Sequence, residues 1–284
     1  MNLPFNLDLK GKVVVVTGGG GVLCSSFAEA LGQCGAKVAI LDLNKDAADK
    51  VAGKITANGG QAKGYEVNVL KPESVKTARE QIVADFGTCD ILINGAGGNN
   101  PKGTTTKEYL DCEDLKSNEE IKTFFDLDPD GISFVFDLNF LGTLIPTQVF
   151  AKDMAEKKNG NIINISSMNA FCPLTKIPAY SGAKAAVSNF TQWLAVHFSR
   201  VGVRVNAIAP GFFVTAQNKN LLFNEDGTPT ERTNKILNAT PMNRFGEAEE
   251  LIGTLLYLVN DAASGFVNGV VIPVDGGFNA YSGV

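Results

Sequence analysis

A single histidine, His197, and a single tryptophan serve all 284 residues of the chain, and neither stands in a recognisable motif. Any Ser-His-Asp triad or histidine-based metal centre would have to use that one imidazole. It lies in the apolar helical run Trp193-Leu194-Ala195-Val196-His197-Phe198 and reads as a packing or helix-end residue. The five cysteines, Cys24, Cys34, Cys89, Cys112 and Cys172, are odd in number, scattered and free of C-x-x-C spacing. Neither a disulfide scaffold nor a zinc site is expected, and a reducing cytoplasm fits best. Basic runs are missing too: 25 Lys and Arg against 30 Asp and Glu leave a net charge of −5, which offers no electrostatic footprint for nucleic acid or an anionic membrane. No apolar run approaches the roughly 18 residues of a transmembrane helix, and the stretch from Met1 to Asp8 lacks the basic-then-apolar order of a signal peptide. Internal repeats, low-complexity tracts and Pro/Gly/Ser-rich linkers are also missing, so residues 1–284 read as one domain.

What the chain does contain is an alternation of short β-branched runs with longer helical stretches. Lys12–Val16, Lys37–Leu41, Gly64–Val67, Ile91–Ile93, Asn161–Ile165, Val203–Ile208 and Val270–Val274 read as seven strands. Strands separated by helices predict an α/β fold with a parallel, doubly wound, Rossmann-like sheet. Two stretches break the rhythm: 99–131, which is polar and acidic, and 216–245, which holds the turn-like Asn224-Glu225-Asp226-Gly227. Both leave carboxyl ends of strands, where open α/β sheets bind ligands, and read as lid-like insertions over a substrate.

Three local patterns carry chemistry. After the first strand comes Thr17-Gly18-Gly19-Gly20-Gly21-Val22-Leu23-Cys24, whose glycines let backbone N–H groups approach a pyrophosphate at a helix start. Asp42 closes the second strand, where a carboxylate accepts hydrogen bonds from an adenosine ribose and repels a 2′-phosphate; Lys45 is near but no arginine follows, which favours NAD over NADP. In Tyr180-Ser181-Gly182-Ala183-Lys184 a helix sets a phenol and an ammonium on one face. Acid/base work by a tyrosine near neutrality needs a shift of roughly three pKa units, about 4 kcal/mol, and a nearby cation has the right sign. Alone, such a pair is usually an ordinary helix surface contact.

Together, in this order along the whole chain, the motifs resemble the short-chain dehydrogenase/reductase family. Tyr180 and Lys184 match its Tyr-x-x-x-Lys, Ser167 its serine, Asn139 its helical asparagine, Asn94-Gly95-Ala96-Gly97 its Asn-Asn-Ala-Gly, and Asp275-Gly276-Gly277 its carboxyl-terminal turn. Three positions depart from the family pattern: Val22 and Cys24 stand for glycines, so that Gly20 and Gly21 are expected to carry the close backbone approach; Asn68 stands for an acid; Gly95 for an asparagine. The resemblance implies a hydride-transferring oxidoreductase. Tyr180 would supply the proton, Lys184 would lower its pKa and bind nicotinamide ribose, Ser167 would hold the substrate oxygen, and Asn139 would position a relaying water. On the residues alone Ser166 competes with Ser167, and Asn139 is equally a helix brace. The implied cofactor contacts are Gly18, Gly20, Gly21, Val22, Leu23, Asp42, Asn68, Val69, Asn94, Ala96 and Gly97, then Tyr180 and Lys184, and finally Pro210, Gly211, Phe213 and Thr215. No metal is implied, and a homo-oligomer, commonly a tetramer with helices paired across two-fold axes, is.

Substrate choice rests on the variable loops. The glycine turn, the insertion after Gly98-Asn99-Asn100-Pro101, the stretch Asn220–Gly227 and the ending Phe278–Val284 resemble the D-mannonate oxidoreductase members of the family, which interconvert D-mannonate and D-fructuronate. Such a substrate is a small, polyhydroxylated anion. Asn99, Asn100, Lys102, Asn169, Gln217, Asn218, Lys219 and Arg232 lie in or beside the loops that would meet it, with Asn169 the first choice beside Ser167 and Tyr180; Arg244 sits in a family-wide segment and is given no substrate role. The alternatives are a related reductase for another sugar, polyol or keto acid, then a 3-oxoacyl carrier protein reductase, an epimerase or a non-catalytic NAD-binding protein.

Overall fold

The computed structural model describes residues 3, 7–116, 120–215 and 219–283. The valines of β1 (Val13–Thr17) show why its strands read as unbroken apolar runs. Val14 and Val16 enter a core with Phe27 and Leu31 of α1 (Val22–Gln33), while Val13 and Val15 enter a second core on the opposite face. Side chains alternate across a strand, so a sheet covered on both faces needs apolar residues at every position. In β2 (Lys37–Asp42), Val38 and Ile40 join the first core, Ala39 and Leu41 the second.

With β3 (Gln61–Glu66), β4 (Ile91–Asn94), β5 (Gly160–Ile165), β6 (Val203–Pro210) and β7 (Val271–Val274), these strands form one parallel sheet in the order β3-β2-β1-β4-β5-β6-β7. The seven expected strands are all present. β3 starts earlier than expected, at polar Gln61; it is an edge strand whose outer residues are exposed, so its hydrophobic signal covers only its second half. Helices α2 (Lys45–Ala57) and α3 (Pro72–Asp85) follow β2 and β3. Asn44 starts α2 by accepting the Ala47 N–H, and Pro72 opens α3, where its missing N–H costs nothing.

The reversal of strand order between β1 and β4 opens a crevice at the carboxyl edge, the ligand position of such sheets. Register keeps that edge level: Thr17 pairs with Leu41 and with Asn94, and Asn94 pairs with Asn164. Beyond β4, the described residues of 99–128 form turns and three short 3-10 segments before α4 (Pro129–Phe136) begins. α4 continues through a wide π-type turn, Asp137–Leu141, into α5 (Gly142–Lys157). Pro129–Lys157 is long and apolar enough to cross a membrane by length and composition, which the sequence reading did not expect; half of its most apolar window is buried within the protein, as in a core helix. The helix α6 (Pro178–Phe198) follows β5. Residues beyond β6 supply α7 (Lys219–Leu222) and α8 (Glu231–Ala239), then α9 (Ile252–Val259) and α10 (Asp261–Ser264). Gln217 and Asn218 lie outside the described residues.

Candidate active site

At the end of β1 the chain turns on Gly18, whose φ of +63° and contact with Ala96 exclude a side chain: a Cβ there would stand 2.9 Å from the Ala96 nitrogen and Cα. Asp42 organises the rest of the turn. Its carboxylate accepts the Gly20 N–H at 3.0 Å and the Asn44 N–H at 2.9 Å. The Gly20 N–H is thus engaged within the turn, and the smallness of the residue lets the turn lie on Asp42 and Ala47, which a Cβ would approach to 3.0 and 2.7 Å. The Gly21 N–H is likewise turned inward, to the Gly18 carbonyl. The first turn of α1, at Val22 and Leu23, offers the N–H groups that a helix start leaves without intrahelical partners. That helix start has no side-chain cap and no acidic residue, unlike α2, so its N–H groups and positive end suit a pyrophosphate. Lys45 pairs with Asp49 on its own helix and is not a spare cation for a 2′-phosphate.

Two departures from the family pattern explain each other. A Cβ on Gly95 would lie 2.1 Å from the Cys24 sulfur. The thiol at position 24 fills the space that a side chain at position 95 would need, so the missing asparagine and the missing glycine form one compensated exchange. Thr17, which sequence reading passed over, holds this turn: its hydroxyl accepts the N–H groups of Gly95 and Ala96 at 3.1 and 3.2 Å.

Several expected cofactor contacts have other work. The Asn94 amide donates to Thr147 and to Asn164, each at 2.9 Å, bracing β4 against α5 and β5, while its buried side-chain oxygen has no hydrogen-bond partner. The Asn68 oxygen accepts the Leu70 N–H, which leaves only its NH2 side for an adenine, while the neighbouring Val69 side chain is buried. Pro210 ends β6, Gly211 passes too close to Asp275 for a side chain, and Phe213 is buried against Gly246, where a Cβ would meet the ring at 2.4 Å. The Thr215 carbonyl accepts the N–H of Lys219 at 3.0 Å.

The catalytic candidates converge from three elements. Ser167 leaves β5, its hydroxyl accepts the Asn169 N–H at 3.2 Å, and it stands near enough to the Tyr180 phenol to act on its acidity. Ser166 points the other way, to Ser188 and the Lys184 carbonyl, which resolves the choice between the two serines. Lys184, one helical turn beyond Tyr180, is buried; its ammonium donates to the Ile165 carbonyl at 2.8 Å and lies 5.7 Å from the Tyr180 ring centre. Burial pushes the lysine down to about 8 and the phenol upward, the Ser167 bond pulling the phenol partly back. The lowering of the phenol expected from Lys184 is not seen: burial sets the direction and holds Tyr180 in its protonated form. The Cys24 thiol, itself raised to about 12 by burial, faces Lys184 electrostatically. Asn139 occupies the π-type turn and is fully buried; its amide spans the Gly98 and Val135 carbonyls at 2.7 Å each and accepts the Gly98 N–H. Its side chain clamps the Gly97–Gly98 turn, as a helix brace would. A Cβ on Gly97 would stand 2.6 Å from the Asn139 oxygen and 3.2 Å from the Lys184 nitrogen.

Of the substrate candidates, Asn169 is buried beside Ser167 and its side-chain oxygen has no hydrogen-bond partner. Asn99 bonds Thr104, Asn100 caps the turn at Lys102, and Lys102 pairs with Asp128 at 3.2 Å, so these three shape their own loop. Lys219 and Arg232 are exposed on α7 and α8. Arg244 grips Glu250 with both terminal nitrogens. The carboxyl-terminal segment reaches the site as well: the Cys172 sulfur, in the loop after Ser167, lies within 3.9 Å of Asn279, and Phe278 meets Phe212 edge-on at 5.3 Å.

The family model for short chain dehydrogenases matches residues 12–226. An uncharacterized oxidoreductase of Haemophilus influenzae is 64% identical over 284 residues, covering 100% of this chain and 99% of its own. The 2-dehydro-3-deoxy-D-gluconate 5-dehydrogenase of Formosa agariphila is 33% identical over 277 residues, covering 97% of this chain and 96% of its own. Among solved structures, a Haemophilus influenza protein provisionally named a D-mannonate oxidoreductase, crystallised with bound NAD, superposes with a TM-score of 0.93 at 64% identity and covers 98% of each chain.

Proposed function

The chain belongs to the short-chain dehydrogenase family, and from that premise we propose that it interconverts a sugar acid alcohol and its ketone, with D-mannonate and D-fructuronate as the pair. The observation that carries the reading is the convergence of Ser167, Tyr180 and Lys184 beside the Gly18 turn and Asp42. It is an NAD-dependent oxidoreductase. The uncapped first turn of α1 fits the pyrophosphate, and the carboxylate of Asp42 keeps lone pairs for ribose hydroxyls after serving Gly20 and Asn44.

NAD, when bound, accepts or returns the hydride. Everything else falls to side chains. Ser167 holds the reacting oxygen by hydrogen bonding, and Tyr180, kept protonated by burial, gives that oxygen its proton in the reducing direction. In oxidation the same proton returns to the phenolate, whose charge Lys184 stabilises from the next turn of α6. With one donor on Ile165, the ammonium retains two for ribose hydroxyls. Asn139 holds the Gly97–Gly98 turn against Lys184.

Support for the sugar acid comes from the name of the 64% identical structure and from Asn169, whose unpartnered buried oxygen suits a substrate hydroxyl. The 33% identical relative, named for a keto acid sugar, favours a second reading in which a different keto sugar acid is the substrate. NADH oxidation with D-fructuronate against a panel of keto sugars separates them. Clear turnover of another ketone without turnover of D-fructuronate removes the first reading and leaves the reaction class.

A further inference from the structure

An anionic substrate needs a cation, and most of those around the site are engaged. Lys102, Lys107, Lys235 and Arg244 are each held by a carboxylate. Arg232 is exposed on α8. Lys176 is different. It lies in the loop that delivers Ser167 at one end and Tyr180 at the other, it is half-buried, and among the described residues its ammonium forms no ion pair. Its backbone is also in the left-handed region, with φ of +71°, a conformation that a lysine adopts only when its surroundings hold it there. The Thr105 N–H, from the first insertion, donates to the Lys176 carbonyl at 2.9 Å and supplies that hold. A left-handed backbone position, held from outside the loop and carrying a cation without an ion pair among the described residues, thus sits in the segment that joins Ser167 to Tyr180.

We propose that Lys176 is the residue that receives the carboxylate of the substrate and so selects sugar acids over neutral sugars. The proposal rests on the sugar acid reading above. The reacting carbonyl of such a substrate lies only a few bonds from its carboxylate, so a molecule held by its oxygen on Ser167 and Tyr180 directs its charged end to the loop that joins those residues. Because the charge acts in the ground state and the transition state alike, it contributes binding and not chemistry.

The test is steady-state reduction of D-fructuronate by NADH with Lys176→Gln and Lys176→Arg. Loss of a charge-assisted contact raises KM by roughly ten- to hundredfold with kcat within a few-fold of the parent. Lys176→Arg restores most of the affinity, and the NADH dissociation constant stays unchanged in both variants. An unchanged KM in Lys176→Gln overturns the proposal while the sugar acid reading stands. So does a joint collapse of kcat, KM and NADH affinity, which marks a purely structural residue. If the parent protein reduces neutral ketoses but not D-fructuronate, the sugar acid reading fails and the proposal with it.

Discussion

Tyr180 and Lys184 stand one helical turn apart, and that adjacency was legible from spacing alone. Their electrostatics were not, because burial raises the phenol and lowers the ammonium, and burial is a property of what covers them. Tyr180→Phe removes the proton donor and leaves the ring: turnover falls about 10²- to 10⁴-fold while NADH binding, followed by fluorescence, is retained. Turnover near that of the parent protein would sink the assignment. The Cys24–Gly95 exchange makes a second residue-scale prediction. Gly95→Asn forces a side chain into the thiol and destabilises the fold by about 1–3 kcal/mol, the usual cost of overpacking, and adding Cys24→Gly recovers much of it. A double-mutant cycle from denaturant midpoints reads the coupling, and simple additivity of the two changes would count against it. Both departures were visible in the sequence; that they share one space was not.

Among elements, the buried amide chain links β4, β5, α5 and α6. Asn94 donates to Asn164 and Thr147, and Asn164 donates to Thr191, each at 2.9 Å. Asn164→Ala strands buried polar atoms and is expected to cost about 1–3 kcal/mol in urea unfolding with an unchanged slope. Affinity for NAD should hardly move if the Asn94 amide serves the sheet alone; a large loss of NAD affinity would show that the same network also positions Asn94 for the cofactor. The strands themselves were legible because a sheet covered on both faces imposes unbroken apolar runs. Their asparagines gave no such signal: Asn164 reads only as part of its strand and Asn94 as a cofactor contact, since their hydrogen-bond partners lie far away in the chain. The two stretches that fail to alternate are linked in the structure through Lys235 on α8 and Glu108, at 3.1 Å. Both side chains are partly exposed, so that contact adds little stability.

For the whole molecule, pH acts mainly through carboxylates held below their ordinary range. Arg244 lowers Glu250 to about 2, Lys63 and Tyr65 lower Asp85, and hydrogen bonds from Thr123, Asp130 and Thr228 lower Asp126, Asp128 and Asp226. Each favours the folded state fully above its unfolded pKa, and the gain disappears as pH falls through the lower folded value. The melting temperature should therefore decline progressively between about pH 4.5 and pH 2, and a flat profile there would contradict these contacts. Lys184 works in the same direction at the other end: its folded pKa near 8 lies below the usual lysine value, so its burial costs most below pH 8 and less as pH rises. Exposed Trp193, Val196, Phe134 and Phe136 leave an apolar surface over α4 and α6. Light scattering should accordingly give a mass above that of one 30.1 kDa chain, a tetramer fitting the family resemblance. By itself the sequence determined the parallel sheet, the order of the motifs and the reaction class, because strand periodicity, glycine turns and i,i+4 spacing are local properties. Only the tertiary structure decided that the Gly20 N–H serves Asp42, that Asn94 braces the sheet and Asn139 the Gly97–Gly98 turn, that Ser166 is turned to Ser188 and the Lys184 carbonyl, and that among the described residues Lys176 forms no ion pair, because each depends on which distant groups the fold brings within reach.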